Sequence, residues 1–138
     1  VHLFLDTSAL YALADPGDQH HTAAASFWRE VEDGDGERIV LSNFILHELA
    51  ILLRRRLGQA VALRVLDGVA ESRAIQVVRI DPDLEDEAWR IFRAREREVL
   101  SFTDCTSCAL MRREGLRQAF TFDEHFRMFG FEMLPARS

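Results

Sequence analysis

Four carboxylates interrupt apolar or strand-end patterns in this chain. They are Asp6 in Phe4-Leu5-Asp6-Thr7-Ser8, Glu48 in His47-Glu48-Leu49, Asp104 in Ser101-Phe102-Thr103-Asp104, and Asp123 in Phe120-Thr121-Phe122-Asp123. Acids far apart in sequence that converge in space form the oxygen-donor set of a hard divalent cation. A divalent cation held in an open acidic pocket is also how hydrolases activate water against a phosphodiester. Metal-assisted hydrolysis is the chemistry these residue types suggest.

The surrounding pattern says how the acids would be positioned. Val1–Leu5 reads as a short apolar strand ending at Asp6, and Ala9–Leu13 as a short helix broken by Asp15-Pro16-Gly17. Asp18 is placed to cap a helix through Val31, with Phe27 and Trp28 on its apolar side. Residues 33–36, Asp-Gly-Asp-Gly, form a turn before a buried strand at Ile39–Leu41. Ser42 caps the next helix, which runs to Arg56 and stops at Gly58; another helix spans 59–72. Ile75–Ile80 is a third strand, and Asp81-Pro82 supplies an N-cap with proline at the first helical position of a helix to about Glu98. Ser101 opens a further helix that ends before Gly115, and strands follow at Ala119–Phe122 and Phe131–Leu134. Strands separated by helices require crossover connections. The expected fold is therefore α/β: a three-layer α/β/α sandwich on a mostly parallel five-stranded sheet, one domain over residues 1–138.

In an open parallel sheet, ligands bind beyond the carboxyl ends of the strands, where the strand order reverses. Asp6 and Asp123 fall at the ends of the first and fourth strands, and Asp104 at the start of the helix leading into the fourth. Glu48 lies in the second turn of its helix, with Phe44, Ile45, Ile51 and Leu52 as its neighbours at three and four residues. A glutamate left unpaired on such an apolar stripe is costly, so a partner is expected.

Each acid also has a purely structural reading. Asp6 could cap the helix after it, and Asp104 could complete a capping box with Ser101 at a helix end that favours negative charge. Asp123 could start a turn, with Thr121 and Glu124 as another box, and Glu48 could pair with an arginine. Taken together the four are harder to explain in that way. Two unit charges about 4 Å apart repel by about 4 kcal/mol at an effective dielectric near 20. Several such repulsions rival a domain's whole stability of about 5–15 kcal/mol. A clustered tetrad is therefore partly protonated, paired with arginine, or filled by cations.

Composition removes several alternatives. The 138 residues are 48% hydrophobic and 29% charged, with a net charge of −6, which argues against a wholesale nucleic-acid coat but not against an acidic pocket with local arginine patches. All 17 basic residues are arginine. The absence of lysine disfavours signalling receiver domains, haloacid-dehalogenase-like phosphatases and P-loop enzymes, and no glycine-rich phosphate loop is present. No apolar run approaches the ~20 residues of a membrane helix and no charged-then-apolar leader precedes the first strand, so a cytoplasmic location is expected. His47-Glu48 lacks the second histidine of a zinc protease, since residue 51 is Ile. Cys105 and Cys108 lack a second pair for zinc, with His125 only a distant candidate, and read as reduced thiols packed between helix and sheet. His20 and His21 read as solvated residues at the start of a surface helix.

With the acids placed, the chain resembles a PIN domain, in particular the VapC-type ribonuclease toxins of bacterial toxin–antitoxin pairs. The likeness covers nearly the whole chain. Leu5-Asp6-Thr7-Ser8-Ala9-Leu10 resembles the family's first motif, with Asp6 as a metal ligand and Ser8 steadying it. Glu48-Leu49-Ala50 resembles the second acidic position, and Leu100-Ser101-Phe102-Thr103-Asp104 is similar to the most diagnostic stretch. Thr121-Phe122-Asp123-Glu124-His125-Phe126 resembles the closing motif, with Asp123 as the fourth acid and Thr121 beside it. The resemblance implies Mg2+ or Mn2+ dependence, an RNA substrate, homodimers and an antitoxin that occludes the site. It implies Asp6, Glu48, Asp104 and Asp123 as catalytic residues and metal ligands, for one ion or two. Arg54-Arg55-Arg56, Arg93/Arg95/Arg97 and Arg112/Arg113 are the candidates for gripping the RNA backbone. The rival reading is a non-catalytic PIN-like module that binds metal and RNA and acts through partners.

Overall fold

Leu3, Phe4 and Leu5 are all buried, as are Ile39, Val40 and Leu41. Runs apolar on both faces belong to the middle of a parallel sheet covered on each side by helices. The computed structural model describes residues 2–136 and bears this out. Strands β1 (His2–Leu5), β2 (Arg38–Ser42), β3 (Ile75–Val78), β4 (Gln118–Phe120) and β5 (Glu132–Leu134) form one parallel sheet in the order β3-β2-β1-β4-β5. Among the described residues, the helices are α1 (Thr7–Ala14), α2 (His21–Asp33), α3 (Asn43–Leu57), α4 (Gln59–Glu71), α5 (Pro82–Ala94), α6 (Phe102–Glu114) and α7 (His125–Met128). The result is the expected three-layer α/β/α sandwich.

The core lies between the two central strands and the helices over them. Phe4, Phe120 and Phe126 are its largest fully buried side chains. Phe27 and Trp28 of α2 pack on Phe120, with ring centroids 4.9 and 6.0 Å away.

Helix ends follow local chemistry. The Ser42 hydroxyl accepts from Ile45 N at 3.2 Å to start α3, and Gly58 (φ 91°) ends it, a backbone conformation costly for any residue with a Cβ. Arg54, Arg55 and Arg56 occupy the last turn of α3, where cations complement the helix dipole. Asp81 accepts from Leu84 N at 2.9 Å ahead of Pro82 to start α5. Ser101 and Asp104 form the full capping box of α6, which ends on left-handed Gly115.

Several element boundaries move. The first strand's Val1 lies outside the described residues. Helix α1 begins at Thr7 rather than Ala9, because Asp6 is its N-cap. Asp18 does not cap α2: its carboxylate accepts from His20 N at 2.9 Å, a local turn, and the helix begins at His21 without a side-chain cap. Strand β3 stops at Val78, and the amide of Ile80 turns instead to the Asn43 side chain at 2.8 Å. Helix α5 stops at Ala94, not Glu98, because Arg95 leaves helical geometry. Strand β4 ends at Phe120, and the one-turn helix α7 begins within the closing motif, at His125.

Candidate active site

The reversal of strand order falls at β1, which is flanked by β2 on one side and β4 on the other. Open parallel sheets bind ligands beyond the strand ends at such a point. Asp6 follows β1 directly, and its amide donates to Phe120 O at 3.1 Å, extending the β1–β4 ladder by one bond. Thr121, Phe122 and Asp123 follow β4. Sheet pairing therefore fixes both segments side by side.

Asp6 is 5% exposed, and the hydrogen bonds to its carboxylate converge on one oxygen. Oδ2 accepts from Ser8 Oγ and Thr121 Oγ1, each at 2.7 Å, and more weakly from Ser8 N at 3.4 Å. Both hydroxyls are themselves oriented by backbone amides. Phe122 N donates to Ser8 Oγ at 3.0 Å and Asp123 N to Thr121 Oγ1 at 2.9 Å. Two amides after β4 thus aim two hydroxyls at a single carboxylate oxygen, and none of these bonds engages Oδ1. The structural reading of Asp6 as a cap is correct, and the cap does not use its second oxygen.

Asp104 enters from the first turn of α6. Its Oδ2 accepts from Ser101 N at 2.9 Å while Ser101 Oγ accepts from Asp104 N at 3.1 Å. The capping box is therefore real, and it holds the carboxylate in place rather than competing with another role. Asp123 Oδ1 accepts from His125 N at 2.9 Å.

Carboxylate oxygens of Asp104 and Asp123 and a ring nitrogen of His125 all lie within 4.8 Å of one another. The His125 Nδ1 atom sits 2.8 Å from Asp123 Oδ1 and 3.5 Å from Asp104 Oδ2. It is buried and makes no hydrogen bond of acceptable geometry. An unsatisfied buried nitrogen among carboxylates is the kind of vacancy a cation fills, so the donor set fits a divalent metal.

Electrostatics agrees. Burial pushes the Asp6 carboxyl up to about 6; the Ser8 and Thr121 hydroxyls pull it back, and the charges of Asp123 and Asp104 push it up again. Burial also raises Asp104, the Ser101 amide opposes that, and Asp123 adds to it. Asp6, Asp104 and Asp123 therefore repel one another across one small volume.

Glu48 stands apart. The buried stripe of α3 is Ile45, Leu49 and Leu53, whereas Ile51 is 61% exposed. Glu48 is half-buried and lines an open cleft with Thr7, Ile51, Leu52 and Arg55. The burial cost expected of it does not arise, because the cleft admits water. It sits near the backbone of Asp6 through Thr7, outside the close cluster of Asp104, Asp123 and His125.

Two further departures concern histidines. His20 is not free in solvent but stacks on Phe122, with centroids 4.2 Å apart and planes 4° from parallel, and His21 Nδ1 lies 2.7 Å from Ala12 O. From sequence, His125 has no role beyond a distant partnership with the cysteines and a place in the closing motif. The sequence signal that could have found it is its place two residues after Asp123, in a motif already marked as acidic. Cys105 and Cys108 are free and fully buried, and burial pushes both thiols up to about 11.

Comparison with known proteins places this geometry. The chain is 36% identical over 130 residues to the 23S rRNA-specific endonuclease VapC20 of Mycobacterium tuberculosis, covering 94% of this chain and 95% of that one. It is 26% identical over 125 residues to a VapC ribonuclease of Archaeoglobus fulgidus, covering 90% and 78%. The crystal structure of Mycobacterium tuberculosis VapC20, described as a sarcin-ricin loop cleaving toxin, superimposes with a TM-score of 0.86 at 32% identity, over 94% and 95% of the two chains. The fold is shared with VapBC2 from Rickettsia felis (TM-score 0.71, 11% identity, 96% and 97% covered) and FitAcB from Neisseria gonorrhoeae (0.68, 14%, 95% and 95%). The PIN domain profile matches residues 3–132, a span that takes in all four acids and the whole sheet but for His2 of β1 and the last two residues of β5; this chain belongs to the PIN domain family.

Proposed function

We propose that this chain is an endoribonuclease of the VapC type, the toxin of a toxin–antitoxin pair, hydrolysing RNA phosphodiester bonds with the help of Mg2+ or Mn2+. The observation that carries the reading is the convergence of Asp6, Asp104 and Asp123 where the strand order of a PIN fold reverses. The whole chain, residues 1–138, acts as one domain.

Asp104, Asp123 and the free oxygen of Asp6 are the residues that would hold the cation, with Glu48 completing the pocket from the cleft beside Thr7. Ser8 and Thr121 fix the orientation of Asp6 through the bonds to Oδ2. A divalent ion there supplies Lewis acidity toward a phosphoryl oxygen and a water acidic enough to attack at neutral pH. Arg55, exposed in the same cleft as Glu48, is placed to meet the RNA backbone. Of the other arginines considered, Arg113 is paired with Asp81 at 2.7 Å and Arg95 with Glu98 at 3.4 Å, which makes them weaker candidates.

The reading carries with it a cognate antitoxin that covers the site, a homodimer and a cytoplasmic location. Among the described residues, no helix is long and apolar enough to cross a membrane. Because a relative is named as specific for 23S rRNA, ribosomal RNA is the first substrate to offer. The test is incubation of intact ribosomes and of pooled cellular RNA with Mg2+, Mn2+ or EDTA, beside Asp6→Asn and Asp104→Asn. Discrete fragments that vanish with EDTA and in both variants are expected. Intact RNA from folded, cation-bound protein would sink the nuclease reading in favour of a non-catalytic binding module.

A further inference from the structure

We propose that His125 is a direct ligand of the catalytic cation through Nδ1, making the centre a mixed nitrogen–oxygen site that favours Mn2+ over Mg2+. This rests on the divalent-cation reading above and adds to it a donor of a different kind.

The argument begins with how the ring is held. Phe126 is 1% exposed and packs against Phe4 of β1, with centroids 6.1 Å apart. Its amide donates to Asp123 O at 3.2 Å, and its carbonyl accepts from Phe131 N at 3.0 Å. The one turn of α7 is thus anchored into the core at the residue immediately after His125. The His125 amide is bound to Asp123 Oδ1, which ties the start of that turn to the acid itself. The backbone that carries the imidazole is thereby fixed beside the acids.

What Nδ1 faces decides its role. Its neighbours are Asp123 Oδ1 at 2.8 Å and Asp104 Oδ2 at 3.5 Å, and both oxygens already accept from backbone amides, of His125 and Ser101 respectively. A ring placed to make a simple ion pair would align an N–H with one of them. This one does not: Nδ1 is buried without a hydrogen bond although an acceptor lies at contact distance. A buried nitrogen without a hydrogen bond, close to two carboxylates, can serve as a third donor to a shared ion, and the three donor atoms lie within 4.8 Å of one another.

The metal preference follows from the donor. Mg2+ takes oxygen ligands and retains its waters; Mn2+ also suits carboxylates but, as a transition ion, gains more from an added imidazole nitrogen than Mg2+ does. A site of carboxylates alone would not separate Mn2+ from Mg2+ in this way.

The test is pulsed electron paramagnetic resonance of the Mn2+ complex, formed from protein stripped of metal with EDTA and dialysed. Coupling of the Mn2+ electron spin to 14N is expected in the wild type, changing to a 15N pattern when histidine is 15N-labelled and disappearing in His125→Ala and His125→Phe. Mn2+ affinity, read from the free-ion signal, should fall about tenfold or more in those variants, and Mg2+ affinity by a smaller factor. A bound Mn2+ without histidine coupling in the wild type overturns the assignment and leaves the cation reading intact. Coupling that persists in both variants also overturns it. No Mn2+ complex at all would overturn both readings together. The wild-type spectrum decides even if neither variant folds.

Discussion

The Thr121 hydroxyl donates to Asp6 Oδ2 at 2.7 Å while accepting from the Asp123 amide at 2.9 Å, so one oxygen atom ties together acids 117 positions apart in the chain. Thr121 is 1% exposed and shares this work with Ser8. The Thr121→Val variant keeps the shape and removes the hydroxyl. It leaves a buried carboxylate short of a donor and an amide short of an acceptor, and is expected to cost about 2 kcal/mol in urea unfolding. Metal affinity should fall about 10-fold or more, since the ligand loses its orientation. An unchanged Mn2+ affinity would mean that Ser8 alone suffices.

The acid pair at the sheet centre predicts an unusual pH dependence. Asp6 titrates at about 6 in the folded chain against an ordinary value of 3.8. Between those limits the folded state binds more protons than the unfolded one, so stability falls as pH rises. The contribution is present at about pH 4 and lost by about pH 6, and amounts to about 3 kcal/mol at most. Asp104, raised as well, acts in the same direction. Urea midpoints in EDTA should therefore drop across that window in the wild type and much less in Asp6→Asn. A saturating divalent cation at neutral pH should restore the loss, by about 2.7 kcal/mol at a hundred times its Kd. Parallel pH curves for the two proteins would remove Asp6 as the source.

Asp104→Asn separates the structural role of this residue from its chemical one. The asparagine carbonyl can still accept from Ser101 N, so the cap of α6 survives and unfolding should shift by no more than about 0.5 kcal/mol. Cleavage and cation binding should be lost. Ser101→Ala is the converse: it removes the acceptor for Asp104 N and should cost about 1 kcal/mol.

Glu48→Gln should impair cleavage less than Asp104→Asn under the same conditions. Glu48 lines the cleft mouth with Arg55 and stands outside the close donor cluster. A loss equal to that of Asp104→Asn would place Glu48 among the groups that act on the reacting phosphate.

Cys105 and Cys108 should be chemically silent in the native state. Both are fully buried with thiols pushed up to about 11, so almost no thiolate is present at neutral pH. Iodoacetamide is expected to label only protein unfolded in guanidinium, and reductant should leave activity unchanged. Rapid labelling of the folded chain would contradict the packing of α6.

Much of this was legible in the sequence for simple reasons. Leu3-Phe4-Leu5 and Ile39-Val40-Leu41 are apolar on every residue, a pattern that fits the centre of a parallel sheet, and Ser42, Asp81-Pro82 and Ser101 announce helix starts through their side-chain chemistry. What was hidden depends on tertiary contacts. Helix α7 is four residues long, too short for any periodicity to register, and it alone turns His125 toward the acids. Asp18 looked like a cap because aspartate favours that role, yet it closes a local turn two residues too early. The apolar neighbours of Glu48 were read correctly as residues but not as a face, since Ile51 points to solvent. Spacing tells which residues share a helix side; only packing tells which side is inside.

Asp6 and Asp123 are suspended from the central strand β1 and its neighbour β4, joined by the bond from Asp6 N to Phe120 O. That bond lies inside the sheet, so the amide of Asp6 should be among the slowest to exchange with deuterium, whereas that of Thr121, held by Leu134 O on the edge strand β5, should exchange sooner. Asp6 thus hangs on the pairing of the sheet itself rather than on a loop. For an endonuclease of the kind proposed, restraint would then come from outside, from something that stops up the mouth.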